Sequence, residues 1–311
     1  PVGSATPMAY QSGRTVLVAL GANAMVAVAK IAAGVVGGSQ VMWAEAGHSV
    51  SDTFNQAFLY TSVRRSRKEP DRQHPFGYGK ERFFWALIAA VSIFVAGAGF
   101  SLYEATEAFA EAPSAEPKEF GLNYAVFGFA LVVESISGIR AYRQTRQEAR
   151  DRGRTFTEHV KLSPDPSVKT VVSEDSVAVI GNLLGISATV AHHVTGQPLW
   201  DGVAALLIMA MLIFVAFALA RDNKDLLVGE ALEPEDEQKI VDFLRQQDAV
   251  TEVLELLTMR LGTESTLVVA RVDFADHLSA SDVKSVSQGV ERELRDAFPE
   301  VQRVFLDPKP G

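Results

Sequence analysis

The stretch Ala44-Glu45-Ala46-Gly47-His48-Ser49-Val50-Ser51-Asp52 decides how the chain is read. It lies inside a mostly apolar run, residues 40–63, long enough to cross a bilayer as a helix, which needs roughly 20 residues. His48 and Asp52 are four apart, so on a helix they share one face with Cβ atoms about 5–6 Å apart. One cation can be held by both. An Asp at the centre of a membrane helix costs roughly 2.5–3.5 kcal/mol, so an ionisable group there points to function. The plainer alternative is a His–Asp hydrogen bond that only pins two helices, a small gain for that cost.

Working outward, residues 168–192 hold the second such stretch, with Glu174 and Asp175 adjacent in an apolar run. Neighbours on a helix point about 100° apart, so only one of the two can aim straight at a site shared with His48 and Asp52. The plainer reading makes this pair a helix end at the membrane surface. Imidazole with carboxylates suits zinc, or manganese and iron when more oxygens join. The chain has no Cys, which excludes thiolate ligands and disulfides. Lys30 and Glu134 also fall in apolar runs; structural neutralisation is the simplest reading for each, with pairing to an acid or snorkelling open to Lys30. Asn23 and Asn182 read as hydrogen-bonding glue between helices. His192 and His193 read as exposed, or as a weak contact on the exit side.

Six candidate spans result: 16–36, 40–63, 83–106, 120–139, 168–192 and 199–220. The loop at 64–82 and the loop at 140–161 each carry seven Lys or Arg, whereas the loops at 37–39, 107–119 and 193–198 contain only Lys118. Basic loops stay cytoplasmic, so both termini are expected inside. Trp43, Trp85 and Trp200 fall near span ends, where interfacial aromatics belong. Residues 1–13 read as a disordered N-terminal arm, with a natural start at Met8.

From residue 221 onward, 20 acidic residues face 11 basic ones, which accounts for the whole chain's net charge of −9. An acidic tail argues against nucleic acid, which needs a basic face. Periodicity predicts helix over 233–247, strands over 250–259 and 265–274, helix over 279–298 with Ser279 or Ser281 as N-cap, and a strand over 301–306. The expected architecture is therefore an all-α six-helix transmembrane domain, 14–221. A small α+β cytoplasmic domain follows, 222–311, in the order α-β-β-α-β, like a ferredoxin or metallochaperone.

His48 and Asp52, the loop His74-Pro75-Phe76-Gly77-Tyr78-Gly79-Lys80 and the following Arg82-Phe83-Phe84-Trp85 resemble the cation diffusion facilitator family of metal transporters. That loop and Glu174-Asp175 resemble its branch of mitochondrial zinc transporter-like proteins. The resemblance implies a homodimer that exports a divalent metal in exchange for protons. It implies a central site with two residues from span two, His48 and Asp52, and two from span five. Asp175 matches one of these, but Val171 stands where a ligand is expected, leaving Glu174 or water as the fourth. Asp71 and His74 match part of a second, loop site whose later His is Tyr78 here. Tail positions that bind metal in the family read Leu254, Arg271 and Phe305, with only Asp307 retained, so no tight tail site is expected. A junction contact is implied between Lys80 and Glu230.

The expectation is a proton-coupled efflux transporter for zinc, with manganese, iron, cadmium or cobalt as alternatives, and without an organic cofactor. It is not an enzyme: no phosphate-cradling loop or protease motif occurs. It is expected in a bacterial plasma membrane. The alternative is a non-transporting membrane scaffold that recruits partners through its acidic tail.

Overall fold

The computed structural model describes residues 13–111 and 120–309. The N-terminal arm expected over 1–13 lies, except for its last residue, outside the described residues, as does most of the loop holding Lys118. Two compact units emerge, one made of residues 1–63 and 85–222, the other of 64–84 and 223–311.

The first unit is helical: α1 (Gly13–Gly37), α2 (Gln40–Ser66), α3 (Glu81–Ser92), a π-helical segment (Ile93–Ala98), α4 (Gly99–Ala110), α5 (Phe120–Asp151), α6 (Phe156–Leu162), α7 (Pro166–Thr195) and α8 (Leu199–Val228). Among the described residues, four helices are long and apolar enough to cross a membrane: Glu81–Ala110, Phe120–Asp151, Pro166–Thr195 and Leu199–Val228. At 1.5 Å per residue, 30 residues reach about 45 Å, enough for the hydrocarbon core and both headgroup layers. The apolar stretch of α1 described in full is shorter, Asn23–Gly37. α2 has the length, at 27 residues, but Glu45, His48, Asp52 and its terminal arginines lower its apolarity. Outward residues such as Phe214 and Phe217 are 75% and 74% exposed, as expected of a surface whose solvent is lipid.

Small residues set how closely these helices approach. Ala33, Ala90, Ala98, Ala188, Ala204 and Ala216 line a core filled by Met42, Ile93, Phe127, Ile208 and Leu212. A Cβ at Gly47 would overlap the ring of Phe100, so only glycine lets α4 lie so near α2. The π-helical segment puts Gly97 against Leu212 and Ser51, one residue from Asp52.

The second basic stretch is a correction. Residues 140–161 are mostly helix, not loop: α5 runs on to Asp151, a turn covers 152–155, and α6 follows. Arg, Gln, Glu and Ala favour helix, and Gln144 donates to Glu148 at 3.0 Å and Gln147 to Asp151 at 2.9 Å, four residues apart as helix geometry requires. Thr155 and Glu158 then form a capping box that starts α6.

The second unit holds α9 (Pro234–Arg245), β1 (Val250–Gly262), β2 (Ser265–Phe274), α10 (Ala280–Ala297) and β3 (Val301–Pro308). β2 is central, antiparallel to β1 and parallel to β3. α9 opens with Pro234 and three acidic residues, which suit a helix N-terminus. Ser279 caps α10 in a box with Asp282. Both helices bury apolar faces, including Ile240, Leu244, Val290 and Leu294, against Val268, Ala270, Val272 and Val304 of the sheet. The other face of the sheet stays open, with Leu257 56% and Phe305 51% exposed.

Candidate metal centre

On α2, His48 and Asp52 are both buried, and Nε2 of His48 stands 3.5 Å from Oδ2 of Asp52. That is long for a hydrogen bond. Among the described residues, neither ring nitrogen of His48 has a hydrogen-bond partner, and neither does Oδ1 of Asp52. Buried polar atoms are nearly always paired, so these three atoms stand out on the helix.

On α7, the two adjacent acids diverge as helix geometry requires. Glu174 is buried, its Oε1 has no partner, and it lies within electrostatic range of Asp52. Asp175 turns toward α5, where Ser137 donates to its Oδ2 at 3.5 Å and Gly138 lies beneath its Cβ. Asp175 is also within electrostatic range of Asp52. Among the described residues, no three His, Asp or Glu side chains converge closely enough to enclose an ion. The arrangement is open: an imidazole and a carboxylate on one helix, two carboxylates on another.

A second buried group adjoins them. Lys30 on α1, wholly buried, donates to Glu45 on α2 at 2.7 Å and to Glu134 on α5 at 3.2 Å. Asn182 on α7 donates to Glu134. Lys30 does not snorkel; the charged pairing holds it. The sequence reading weighed Lys30 and Glu134 but passed over Glu45. The available signal was that Glu45 is a charged residue one helical turn before His48. Toward the other end of α7, His192 meets Asp201 of α8 at 3.2 Å, and Ser39 donates to the same oxygen at 3.1 Å, so His192 is buried rather than exposed.

In the second unit, Asp71 serves its own loop. Its Oδ1 accepts from the amides of Gln73 and His74 at 2.9 and 2.7 Å, and its Oδ2 accepts from the Tyr78 hydroxyl at 2.7 Å. The Tyr78 hydrogen bond, helped by the His74 amide, holds the Asp71 carboxyl below the usual range. His74 stacks on Tyr78 with ring centres 4.2 Å apart. Lys80 does not pair with Glu230: its ammonium donates to the Leu227 carbonyl at 3.2 Å, in the last turn of α8, and nears Met259 Sδ at 3.9 Å. A helix C-terminus leaves such carbonyls unsatisfied and attracts cations. On the open face of the sheet, Arg271 binds Asp307 at 2.9 Å and Glu255 at 3.3 Å.

Long apolar helices around buried imidazole and carboxylate groups, followed by a small two-layer α/β tail, define an integral membrane protein with ionisable side chains held between its helices. The chain belongs to the cation efflux family: residues 16–228 match the cation efflux transmembrane domain and residues 232–310 the cation efflux protein cytoplasmic domain. Metal tolerance protein C4 of Arabidopsis thaliana is 32% identical over 263 residues, covering 85% of this chain and 57% of that protein. The human protein named proton-coupled zinc antiporter SLC30A9, mitochondrial, is 31% identical over 262 residues, covering 84% of this chain and 46% of that protein. This chain thus spans about half the length of these two relatives. The manganese efflux system protein MneP of Bacillus subtilis is 25% identical over 302 residues, with 96% of each chain covered.

Proposed function

We propose that the protein exports a divalent transition-metal cation, zinc foremost, across a membrane in exchange for protons. The observation that carries this reading is the set of buried, unpartnered atoms on His48, Asp52 and Glu174, with Asp175 in range. These are borderline-to-hard donors without a thiolate, a combination that binds zinc or manganese without trapping it. Ligands must shed protons to bind metal, so metal from one side and protons from the other compete for the same atoms. Alternating access around such a site converts that competition into exchange. The site residues of this proposal are His48, Asp52, Asp175 and Glu174. Asp71 is engaged by its own loop, which argues against a second site with His74.

The proposal includes six spans, with α1 and α2 as the first two, and both termini in the cytoplasm beside the basic segments. The transport domain is taken as 14–221 and the tail as 222–311. The chain pairs as a homodimer through the tail, whose open sheet face exposes Leu254, Leu257 and Phe305. Helices in lipid gain no hydrophobic drive from association, whereas this face does in water. The bacterial plasma membrane is the proposed location.

The test is flux of Zn²⁺, Mn²⁺, Fe²⁺, Cd²⁺ and Co²⁺ into proteoliposomes holding the purified protein, with and without a pH gradient. Saturable zinc uptake driven by the gradient is expected. Absence of flux for every ion, from protein that stays folded, would leave the scaffold reading standing. Removing residues 231–311 should dissociate the dimer; a dimer that persists would move the interface into the membrane.

A further inference from the structure

The Lys30 group contains one charge too many for simple neutralisation. A single carboxylate would balance a buried ammonium, yet Lys30 contacts two, Glu45 at 2.7 Å and Glu134 at 3.2 Å. With both ionised the group has a net charge of −1. It is also short of a donor. Among the described residues, Oε1 of Glu45 is buried without a hydrogen-bond partner, and so is Oδ1 of Asn182. Oε1 of Glu45 lies directly against Gly181, where any Cβ would overlap it, next in the chain to Asn182. Uncompensated charge and an unpaired buried acceptor are both costly in low dielectric. One added proton supplies the missing charge and the missing donor hydrogen together.

We propose that Lys30, Glu45, Glu134 and Asn182 form a proton-binding site separate from the metal ligands, with one exchangeable proton held on the Glu45–Glu134 pair. The inference rests on the reading of the protein as a metal–proton exchanger. The ionisable groups within electrostatic range of it are His48 and Asp52 from α2 and Asp175 from α7. His48 feels the charges of Lys30 and Glu134, and Asp52 those of Lys30, Glu45 and Glu134. A dication arriving at His48 and Asp52 raises the local positive potential and drives the proton from the carboxyl to water on the side then open. Loss of the metal restores the net negative charge, and a proton returns. Lys30 stays charged throughout and keeps the two carboxylates at one place, so this proton is coupled to the metal through the field, in addition to the protons shed by the metal ligands themselves.

The experiment counts protons released per zinc by calorimetry of the full-length protein, at one pH, in buffers of different ionisation enthalpy. Wild type is compared with Glu45→Gln and Glu134→Gln. Either substitution leaves Lys30 with one carboxylate and a neutral group. Each should therefore release about one proton fewer per zinc than wild type, with zinc affinity changed by less than about threefold. Zinc uptake by either variant should lose much of its response to a pH gradient. An unchanged proton count in both variants overturns the proposal, and so does a loss of zinc affinity beyond tenfold, which would assign the carboxylates to the metal site. Loss of fold in both isosteric variants, seen by gel filtration, would mark the group as purely structural and overturn it as well. A wild type that neither binds nor transports zinc would sink the exchange reading itself, and is distinguishable from unchanged counts in a working carrier.

Discussion

Replacing Lys30 with Met should destabilise the helical unit strongly, and the size of the effect follows from its two contacts. At an effective dielectric of about 20, charges 2.7 and 3.2 Å apart attract by roughly 6 and 5 kcal/mol. Desolvation of the ammonium and repulsion between the carboxylates take back much of that. What remains on removing one partner of a buried ion pair is about 3–5 kcal/mol, because the abandoned charge is left in the interior. For a unit of this size that corresponds to a fall of roughly 6–20 °C in unfolding temperature. The assay is thermal unfolding in detergent, followed by circular dichroism. The decisive comparison adds Glu45→Gln or Glu134→Gln to Lys30→Met. If the loss comes from stranded carboxylates, each double variant regains part of it, a coupling well beyond the roughly 0.5 kcal/mol of additive behaviour. A Lys30→Met protein that melts like wild type, or double variants whose losses simply add, would refute the reasoning.

Other outcomes are expected. Asp52→Asn and Glu174→Gln should each reduce zinc flux at least tenfold in proteoliposomes while leaving the fold intact; flux near wild type in either removes that residue from the site. Asp175→Ala should do the same if α7 presents both acids in turn, and its effect separates a ligand from a mere partner of Ser137. His48→Asp should shift preference toward Mn²⁺, since oxygen suits harder ions; an unchanged selectivity profile across Zn²⁺, Mn²⁺, Fe²⁺ and Cd²⁺ counts against a ligand role. His159, outside the spans, is pushed down in pKa by burial and then by Arg152. Its neutral form therefore favours folding fully above an unfolded pKa of about 6.5, and that contribution is lost as pH falls through the lower folded value. Protection factors for hydrogen exchange in α5 and α6 should fall on acidification, and His159→Leu should abolish that dependence.

The tail was legible because its signals are local. Alternation marked β1 and β2, acidic residues marked the start of α9, and Ser279 caps α10 as its spacing with Asp282 allows. The extension of α5 was obscured because charge was read as loop, although arginine, glutamine and glutamate favour helix once a turn is formed. The Lys30 contacts could not be read at all: their partners lie 15 and 104 residues away, and only helix packing brings them together. The same holds for the bearing of Glu174 and Asp175. Sequence fixes the angle between them, but the rotation of α7 in its bundle decides which one faces Asp52. Lys80 shows a third kind of blindness. A pattern of side chains suggested an acidic partner, while the structure supplied a backbone carbonyl, which no residue code announces.

The wide turn at Ile93–Ala98 is a form of helix that can be moved along its own axis. A π-helical turn is in effect one surplus residue carried inside an α-helical rod. Should that surplus pass one position along the chain, hydrogen bonds exchange partners one for one and the rod stays unbroken. The residue left behind rejoins regular helix, and its side chain swings by an amount on the order of 100°. Gly97, lodged between Leu212 and Ser51, sits within that travelling stretch. A rod built this way can act as a screw thread beside Ser51, turning the wall it presents there without a hinge, a break or any change in length beyond a fraction of one turn.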